Sequence, residues 1–161
     1  MAVDFVLSPN LSTEAKRNMI RVGVIGYGYW GPNVVRNLHG LESACVEMVC
    51  DKSSSALARV RKTYPGVLTT SDANDVLRSP NIDAVAVITP VWTHYELAKT
   101  ALENGKHVFV EKPLTSNRAQ AEAQINRCQI ELLLLRYVKN LLEFDQSIIQ
   151  WIAIIRTAKV S

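Results

Sequence analysis

Apolar positions in residues 20–125 follow two alternating patterns. Short runs rich in valine and isoleucine predict strands, and segments with apolar residues every three or four positions predict helices. The predicted strands cover 21–25, 45–50, 67–69, 84–88 and 107–110. The predicted helices lie between Pro32 and Gly40, over 53–64 and 72–78, between Thr93 and Gly105, and after Ser116. Strand–helix units of this length connect by right-handed crossovers. The pattern therefore predicts an α/β fold, an open, doubly wound parallel sheet with strand order 3-2-1-4-5.

Several residues at the helix ends predict how those helices start and stop. Gly40 suits a left-handed stop after the first helix, and Gly105 ends a later one. Thr93 and Glu96 have the spacing of a capping box, in which each side chain accepts a hydrogen bond from the other residue's backbone. Two apolar stripes are expected to face the sheet: Val34, Val35 and Leu38 on the first helix, and Leu97, Ala98, Ala101 and Leu102 on the later one.

The two ends of the chain differ from this alternating region. All seven glycines and six prolines precede residue 114. The sequence beyond that point therefore contains none of the glycines and prolines that usually mark the turns of an α/β domain. Three zones are predicted: a flexible polar leader at 1–19, the α/β domain at 20–125, and an apolar tail at 126–161. Local propensity favours helix over most of the tail, although its apolar residues follow no clean period.

Composition narrows the class of protein. The 161 residues suffice for one domain with a real core, and 48% hydrophobic content excludes global disorder. A net charge of +3, with both signs interspersed, gives no reason to expect a nucleic-acid or membrane partner. Three cysteines without ligand-like spacing to histidine argue for a reduced, cytoplasmic setting and against a metal site. No secretory signal is expected, because Asp4 comes early and no long apolar stretch follows it, and no apolar run approaches the length of a membrane span.

The candidate chemistry begins at a glycine-rich turn. Gly26, Gly28 and Gly31 form GxGxxG directly after a predicted strand and directly before a predicted helix. Gly26 permits the tight turn, Gly28 removes a side chain that would block a diphosphate, and Gly31 lets the helix approach the sheet. Free N–H groups and a partial positive charge at the start of the helix favour a phosphate there. The motif predicts a dinucleotide site.

An acidic residue completes this motif. Asp51 closes the second predicted strand 25 positions after Gly26, close to the spacing expected for a ribose-binding carboxylate. A carboxylate there repels a 2′-phosphate, so NAD is expected rather than NADP. Lys52 and the serines at 53–55 weaken this preference because they can accommodate a phosphate.

Two other interpretations of the glycine turn remain open. The glycines can shape a turn in a domain that binds nothing. A methyltransferase also combines a glycine loop with an acid after its second strand. The packing role of Gly31, and three segments elsewhere in the chain, argue against the methyltransferase.

Those segments are VGVIGYGYWGPN at 22–33, ITPVWTHYELAKTALENGKHV at 88–108 and EKPL at 111–114. With Asp51, they make residues 20–124 resemble the Gfo/Idh/MocA oxidoreductases, the glucose–fructose oxidoreductase and inositol dehydrogenase family. EKP after a GKHV strand is the most specific signal. The GYGYWGPN wording is most similar to members that act on nucleotide-linked sugars. The resemblance implies an NAD-dependent enzyme acting on secondary alcohols of sugars.

The resemblance also implies site residues. Thr89 and Pro90 would lie beside the dinucleotide, and Glu111, Lys112 and Pro113 would form a loop under the nicotinamide ribose. Lys112 would be the catalytic group, which hydrogen-bonds the substrate hydroxyl and stabilises developing negative charge. A surface lysine is the simpler alternative.

Aromatic residues near these segments are further candidates for cofactor contact. His94 would touch the cofactor or only satisfy local hydrogen bonds. Trp30 would flank the nicotinamide or cover the sheet edge, and Tyr29 is included with it. His39 and His107 are expected to be structural.

Family members carry a second, α+β domain that supplies the substrate pocket and the acid–base group, and 161 residues leave no room for it. We expect from this that the tail after about 124 is not family sequence, and that a frameshift, altered splicing or truncated gene model has replaced that domain. The chain would then bind NAD with little turnover. The alternatives are a non-catalytic NAD-binding or partner-binding module, and a genuine short protein whose tail forms a homo-oligomer.

Overall fold

The computed structural model of the chain describes residues 19–111 and the backbone of 135–137. The strands are β1 (Ile20–Ile25), β2 (Ala44–Cys50), β3 (Leu68–Thr70), β4 (Ala84–Val87), β5 (His107–Val110) and β6 (Leu135–Tyr137). The helices are α1 (Gly31–His39), α2 (Ser54–Thr63), α3 (Ala73–Leu77) and α4 (His94–Glu103), with a 3₁₀ turn at Val91–Thr93 before α4.

All six strands form one parallel sheet in the order β3-β2-β1-β4-β5-β6. The order 3-2-1-4-5 predicted from the sequence is therefore confirmed, with one further strand beyond β5. Strand β1 is central, pairing with β2 on one side and β4 on the other. From β1 the chain adds β2 and β3 on one side of the sheet and then β4 and β5 on the other. This reversal of strand order beside β1 is the topological switch point, where open α/β sheets hold their ligands.

Helices cover both faces of the sheet, so the central strands are buried on both sides. One apolar cluster joins β1 and β2 to α1 and α2, and it includes the predicted stripe of Val34, Val35 and Leu38. The other joins β4 and β5 to α3 and α4. Gly23 in β1 lets α3 approach closely, because a Cβ at that position would collide with the side chains of Val76 and Ile82.

Two helix-end predictions are wrong. Gly40 has φ −80°, a right-handed conformation, so its freedom is not used; its N–H instead continues the helical pattern by donating to the Arg36 carbonyl. Thr93 makes no side-chain cap, because the 3₁₀ turn supplies a backbone acceptor, the Val91 carbonyl, for the first N–H of α4. Gly105 does adopt a left-handed conformation, with φ +69°.

The predicted helical tail contains a strand at 135–137. Its backbone pairs in parallel with Val108–Val110 of β5. Without it, β5 would present unpaired backbone groups along the sheet edge, and pairing of those groups outweighs local helix propensity at these three residues. Met19, the last residue of the predicted leader, is buried. Residues 1–18, the helix predicted after Ser116 and the rest of the tail lie outside the described residues. Among the described helices, none combines the length and apolar character needed to cross a bilayer.

Candidate functional site

The predicted site residues that the structure describes gather at the carboxyl edge of the sheet. Backbone hydrogen bonds connect neighbouring strand ends: Gly26 N–H donates to the Cys50 carbonyl at 2.8 Å, and Ile88 N–H to the Ile25 carbonyl at 2.8 Å. Glu111 N–H donates to the Val87 carbonyl at 2.9 Å. The glycine turn, the end of β2, the Thr89–Pro90 segment and Glu111 therefore share one edge around the switch point.

The glycine turn has the geometry that its three glycines predict. Gly26 has φ +103°, and a Cβ there would lie only 2.7 Å from the carbonyl carbon of Ile88. A Cβ on Gly31 would lie 2.5 Å from the Gly26 carbonyl oxygen, so α1 starts in close contact with the turn. A Cβ on Gly28 would meet no atom within 4 Å. Gly26 and Gly31 are thus required by packing, whereas the space beside Gly28 is open for a ligand.

Asp51 lies beside this turn, on the same side of the sheet. Its Oδ2 accepts a hydrogen bond from Tyr27 N–H at 2.6 Å, and its Oδ1 accepts one from Ser53 N–H at 2.7 Å. An ionised carboxylate has about four acceptor positions. About two therefore remain for the two hydroxyls of a ribose.

Tyr27 is a functional residue that the sequence analysis missed. Its side chain is buried in the cluster under α1 and α2, so the turn is anchored in the core. The Arg59 guanidinium lies 5.9 Å from the ring centroid, and its Nη2 is 3.5 Å from the Tyr27 carbonyl oxygen. Burial raises the pKa of the Tyr27 phenol. In the sequence, the feature that could have pointed to Tyr27 is the position of an aromatic residue between the first two glycines of the motif.

The serines after Asp51 make local hydrogen bonds at the start of α2. Ser53 caps the helix by accepting from Ala56 N–H at 3.3 Å, and its hydroxyl lies 2.9 Å from that of Ser55. Lys52 is exposed beside them. The Ser53 hydroxyl is therefore used to cap α2, whereas the Lys52 side chain remains accessible to solvent.

Hydrogen bonds also hold the Thr89–Pro90 segment. The Thr93 hydroxyl donates to the Pro90 carbonyl at 2.7 Å and lies 2.6 Å from the Thr89 hydroxyl. His94 is buried, and its Nε2 donates to the Thr89 carbonyl at 2.6 Å. Of the two roles left open for His94, this geometry favours the local hydrogen bond.

Replacing His94 with phenylalanine is expected to destabilise the domain by about 1–3 kcal/mol, because it removes the buried donor to the Thr89 carbonyl. His94→Gln carries a terminal N–H donor at similar reach and is expected to lose less. Urea denaturation measures both. A phenylalanine variant as stable as the glutamine variant would contradict this role.

Aromatic side chains border the same edge. Tyr29 is 86% exposed and packs edge-to-face on Trp30, with ring centroids 5.2 Å apart. Trp92, in the 3₁₀ turn after Pro90, is 74% exposed and was not singled out from the sequence. Apolar rings that lie together at the surface, as Tyr29 and Trp30 do, are typical of surfaces that contact a ligand or another domain.

Cys50 lies directly before Asp51 and is expected to be chemically inert. Burial raises the pKa of its thiol to about 11, and the Asp51 carboxylate adds to the rise. At pH 8 the thiolate fraction is then roughly 0.1%. Because the pKa in the folded state exceeds the ordinary 9.0, the stability contributed by this thiol is complete below pH 9 and is lost as the pH rises through about 11.

Iodoacetamide labelling at pH 8, located by tandem mass spectrometry, is therefore expected to modify half-buried Cys45 at least roughly 100 times faster than Cys50. Equal rates in the native protein would contradict this, and unfolding in urea should make the two rates similar.

Two predicted residues, Lys112 and Pro113, lie outside the described residues. Within the described part of the chain, no three of the His, Cys, Asp and Glu side chains cluster as metal ligands would.

A parallel sheet covered on both faces, with a glycine turn leading into α1 and an acid at the end of β2, defines a dinucleotide-binding Rossmann domain. The family model described as "Oxidoreductase family, NAD-binding Rossmann fold" (GFO_IDH_MocA) matches residues 20–134. The chain belongs to this family. The match extends beyond residue 125, where the sequence predicted the domain to end.

Similar proteins include an uncharacterized oxidoreductase, YdgJ, of Escherichia coli K12, 41% identical over 106 residues, or 63% of this chain and 29% of that protein. The scyllo-inositol 2-dehydrogenase (NAD(+)) of Bacillus subtilis is 34% identical, over 66% of this chain and 31% of its own length. The chain thus spans about a third of the length of these relatives.

Solved structures agree with this assignment. Scyllo-inositol dehydrogenase from Lactobacillus casei, with bound NAD(H) and scyllo-inositol, has a TM-score of 0.69 at 25% identity, covering 74% of this chain and 36% of that one. A variant 3-ketoreductase from Actinomadura kijaniata, in complex with TDP-benzene and NADP, has a TM-score of 0.69 at 31% identity, covering 74% and 37%.

Proposed function

We propose that this chain binds NAD at the carboxyl edge of the sheet and forms the cofactor half of a cytoplasmic oxidoreductase acting on secondary alcohols of sugars or nucleotide-linked sugars. The observation that carries the proposal is the juxtaposition of an open glycine turn with the Asp51 carboxylate. Family membership supports the cofactor, and the dehydrogenases among the relatives support the reaction class.

The dinucleotide fits the residues present. Its diphosphate would lie over Gly28, at the N-terminal end of α1, where the positive end of the helix dipole favours an anion. The adenosine ribose would hydrogen-bond to the remaining acceptor positions of Asp51. Thr89 and Pro90, with Tyr29, Trp30 and Glu111, would border the cofactor along the same edge.

Charge favours NAD over NADP. A 2′-phosphate would be placed against the Asp51 carboxylate, and two like charges at hydrogen-bond distance repel. Exposed Lys52 offsets part of this repulsion, so NADP is expected to bind more weakly rather than not at all.

NAD, when bound, supplies a hydride-accepting carbon on its nicotinamide ring. For this chain's own residues, we propose that Lys112, which follows Glu111 in the sequence, hydrogen-bonds the substrate hydroxyl. Because the chain spans about a third of its relatives, the groups that complete a substrate pocket are expected elsewhere. Cofactor binding with little turnover is therefore the expected behaviour of these 161 residues.

Calorimetric titration with NADH and NADPH tests the cofactor, and a turnover assay with inositols, sugars and nucleotide sugars tests the reaction. We expect NADH to bind at least tenfold more tightly than NADPH, with little turnover. Failure to bind either dinucleotide would overturn the proposal, and robust turnover would contradict the dependence on a second domain. Light scattering on the same sample tests the homo-oligomer expected from the apolar tail.

A further inference from the structure

The Asp51 carboxylate is already hydrogen-bonded before any ligand is present. Both of its oxygens accept backbone N–H groups, Oδ2 from Tyr27 at 2.6 Å and Oδ1 from Ser53 at 2.7 Å. Tyr27 belongs to the glycine turn and Ser53 to the start of α2. The side chain thus connects the turn after β1 to the segment after β2.

The same residue of the turn, Tyr27, is also held through its side chain and its carbonyl group. The Tyr27 ring is buried under α2, and the Arg59 guanidinium lies near both the ring and the Tyr27 carbonyl. Asp51 therefore fixes the N–H of a residue whose side chain is fixed by the core. Gly28, at the open position of the turn, comes directly after it.

We propose that Asp51 is a positioning residue for the glycine turn, so that this carboxylate determines the affinity for the diphosphate as well as the choice of ribose. The consequence for the cofactor rests on the proposed function; the consequence for the turn does not. A substitution that removes the carboxylate to admit NADP would then weaken binding of both dinucleotides instead of exchanging one for the other.

Electrostatics alone predicts the opposite change in affinity when the Asp51 carboxylate is removed. Removing a negative charge near a diphosphate lowers repulsion and should tighten its binding. Loss of the hydrogen bond to Tyr27 N–H instead releases the turn and should weaken binding, since hydrogen bonds to charged groups are among the stronger ones. The direction of the change therefore separates the two effects.

The first experiment measures amide hydrogen exchange by NMR in the full chain without cofactor. In Asp51→Ala, we expect exchange at the Tyr27 amide to accelerate about tenfold or more, while amides in β4, such as Val85, keep their rates. Unchanged exchange at Tyr27 would overturn the proposal. If Asp51→Ala does not fold, Asp51→Asn, which keeps one weaker acceptor, is expected to show a several-fold acceleration, and no acceleration there would overturn it equally.

The second experiment compares two ligands that differ only in the ribose hydroxyls, adenosine diphosphate and 2′,3′-dideoxyadenosine diphosphate. Without the hydrogen bond between Asp51 and the turn, the Asp51 variants should bind both nucleotides more weakly. For the dideoxy compound we expect the affinity to fall by about tenfold. Unchanged or tighter binding of the dideoxy compound, with weaker binding of adenosine diphosphate, would restrict Asp51 to the ribose and overturn the proposal.

Asp72→Asn is the matched control, because it removes a carboxylate at the end of the neighbouring strand while asparagine can still cap α3. It should change neither Tyr27 exchange nor the ratio of the two affinities. If the wild-type chain binds neither nucleotide but Tyr27 exchange still depends on Asp51, the proposed function fails and the positioning role stands.

Discussion

Replacing Gly28 with alanine is expected to abolish most dinucleotide binding without destabilising the protein. A Cβ at this position meets no protein atom within 4 Å, so the folded chain accommodates it. The added methyl group would occupy space that the proposed diphosphate needs. We expect the Kd for NADH to rise about 100-fold, equivalent to about 2.8 kcal/mol, as measured by calorimetry.

The thermal midpoint provides the control for this variant, and it should stay within about 1 °C of the wild-type value. Gly66→Ala, which also adds a Cβ in open space but lies in the turn before β3, should change neither Tm nor Kd. Unchanged NADH affinity in the Gly28 variant would argue against a diphosphate at this turn.

Replacing Gly26 with alanine is expected to have the opposite signature, a large loss of stability. At φ +103° an L side chain is strained, and the Cβ would collide with the backbone of Ile88, which cannot move without breaking the β1–β4 pairing. We expect the free energy of unfolding to fall by about 4 kcal/mol and Tm by about 15 °C.

Denaturant unfolding measures this change, and saturating NADH should not restore the wild-type midpoint. Gly31→Ala meets a backbone oxygen of the same turn and should act in the same direction. A Gly26 variant with wild-type Tm would show that the turn can relax, contrary to the packing seen here.

The sequence was sufficient to predict the order of β1 to β5 because short strand-like runs alternate with amphipathic helical segments, and glycine or proline lies in most of the connections between them. The same applies to the placement of Gly26, Gly31 and Asp51, which depends on local backbone shape and on the meeting of strand ends at one edge. These features are set by short-range pattern and by the handedness of crossovers. They need no knowledge of side-chain contacts.

Other features depend on tertiary contacts that no local pattern records. The Thr93 hydroxyl bonds to Pro90 because a 3₁₀ turn already satisfies the start of α4. Gly23 must lack a side chain because α3, about fifty residues later, packs against it. Tyr27 is buried because it packs with residues of α2. The strand at 135–137 forms because an edge is available at β5, which outweighs the helix propensity of its own residues.

The position of β1 at the centre of the sheet has a consequence for how the binding edge is assembled during folding. Residues Val22 and Ala84 are paired neighbours although they lie far apart in sequence, and such non-local pairing forms late because loop closure is costly. A nascent chain ending after α3 would contain the entire glycine turn and Asp51, but not the Ile88 backbone on which Gly26 rests. The binding edge is therefore complete only when the fourth strand has joined the first, and a ligand at this edge would stabilise that long-range pairing.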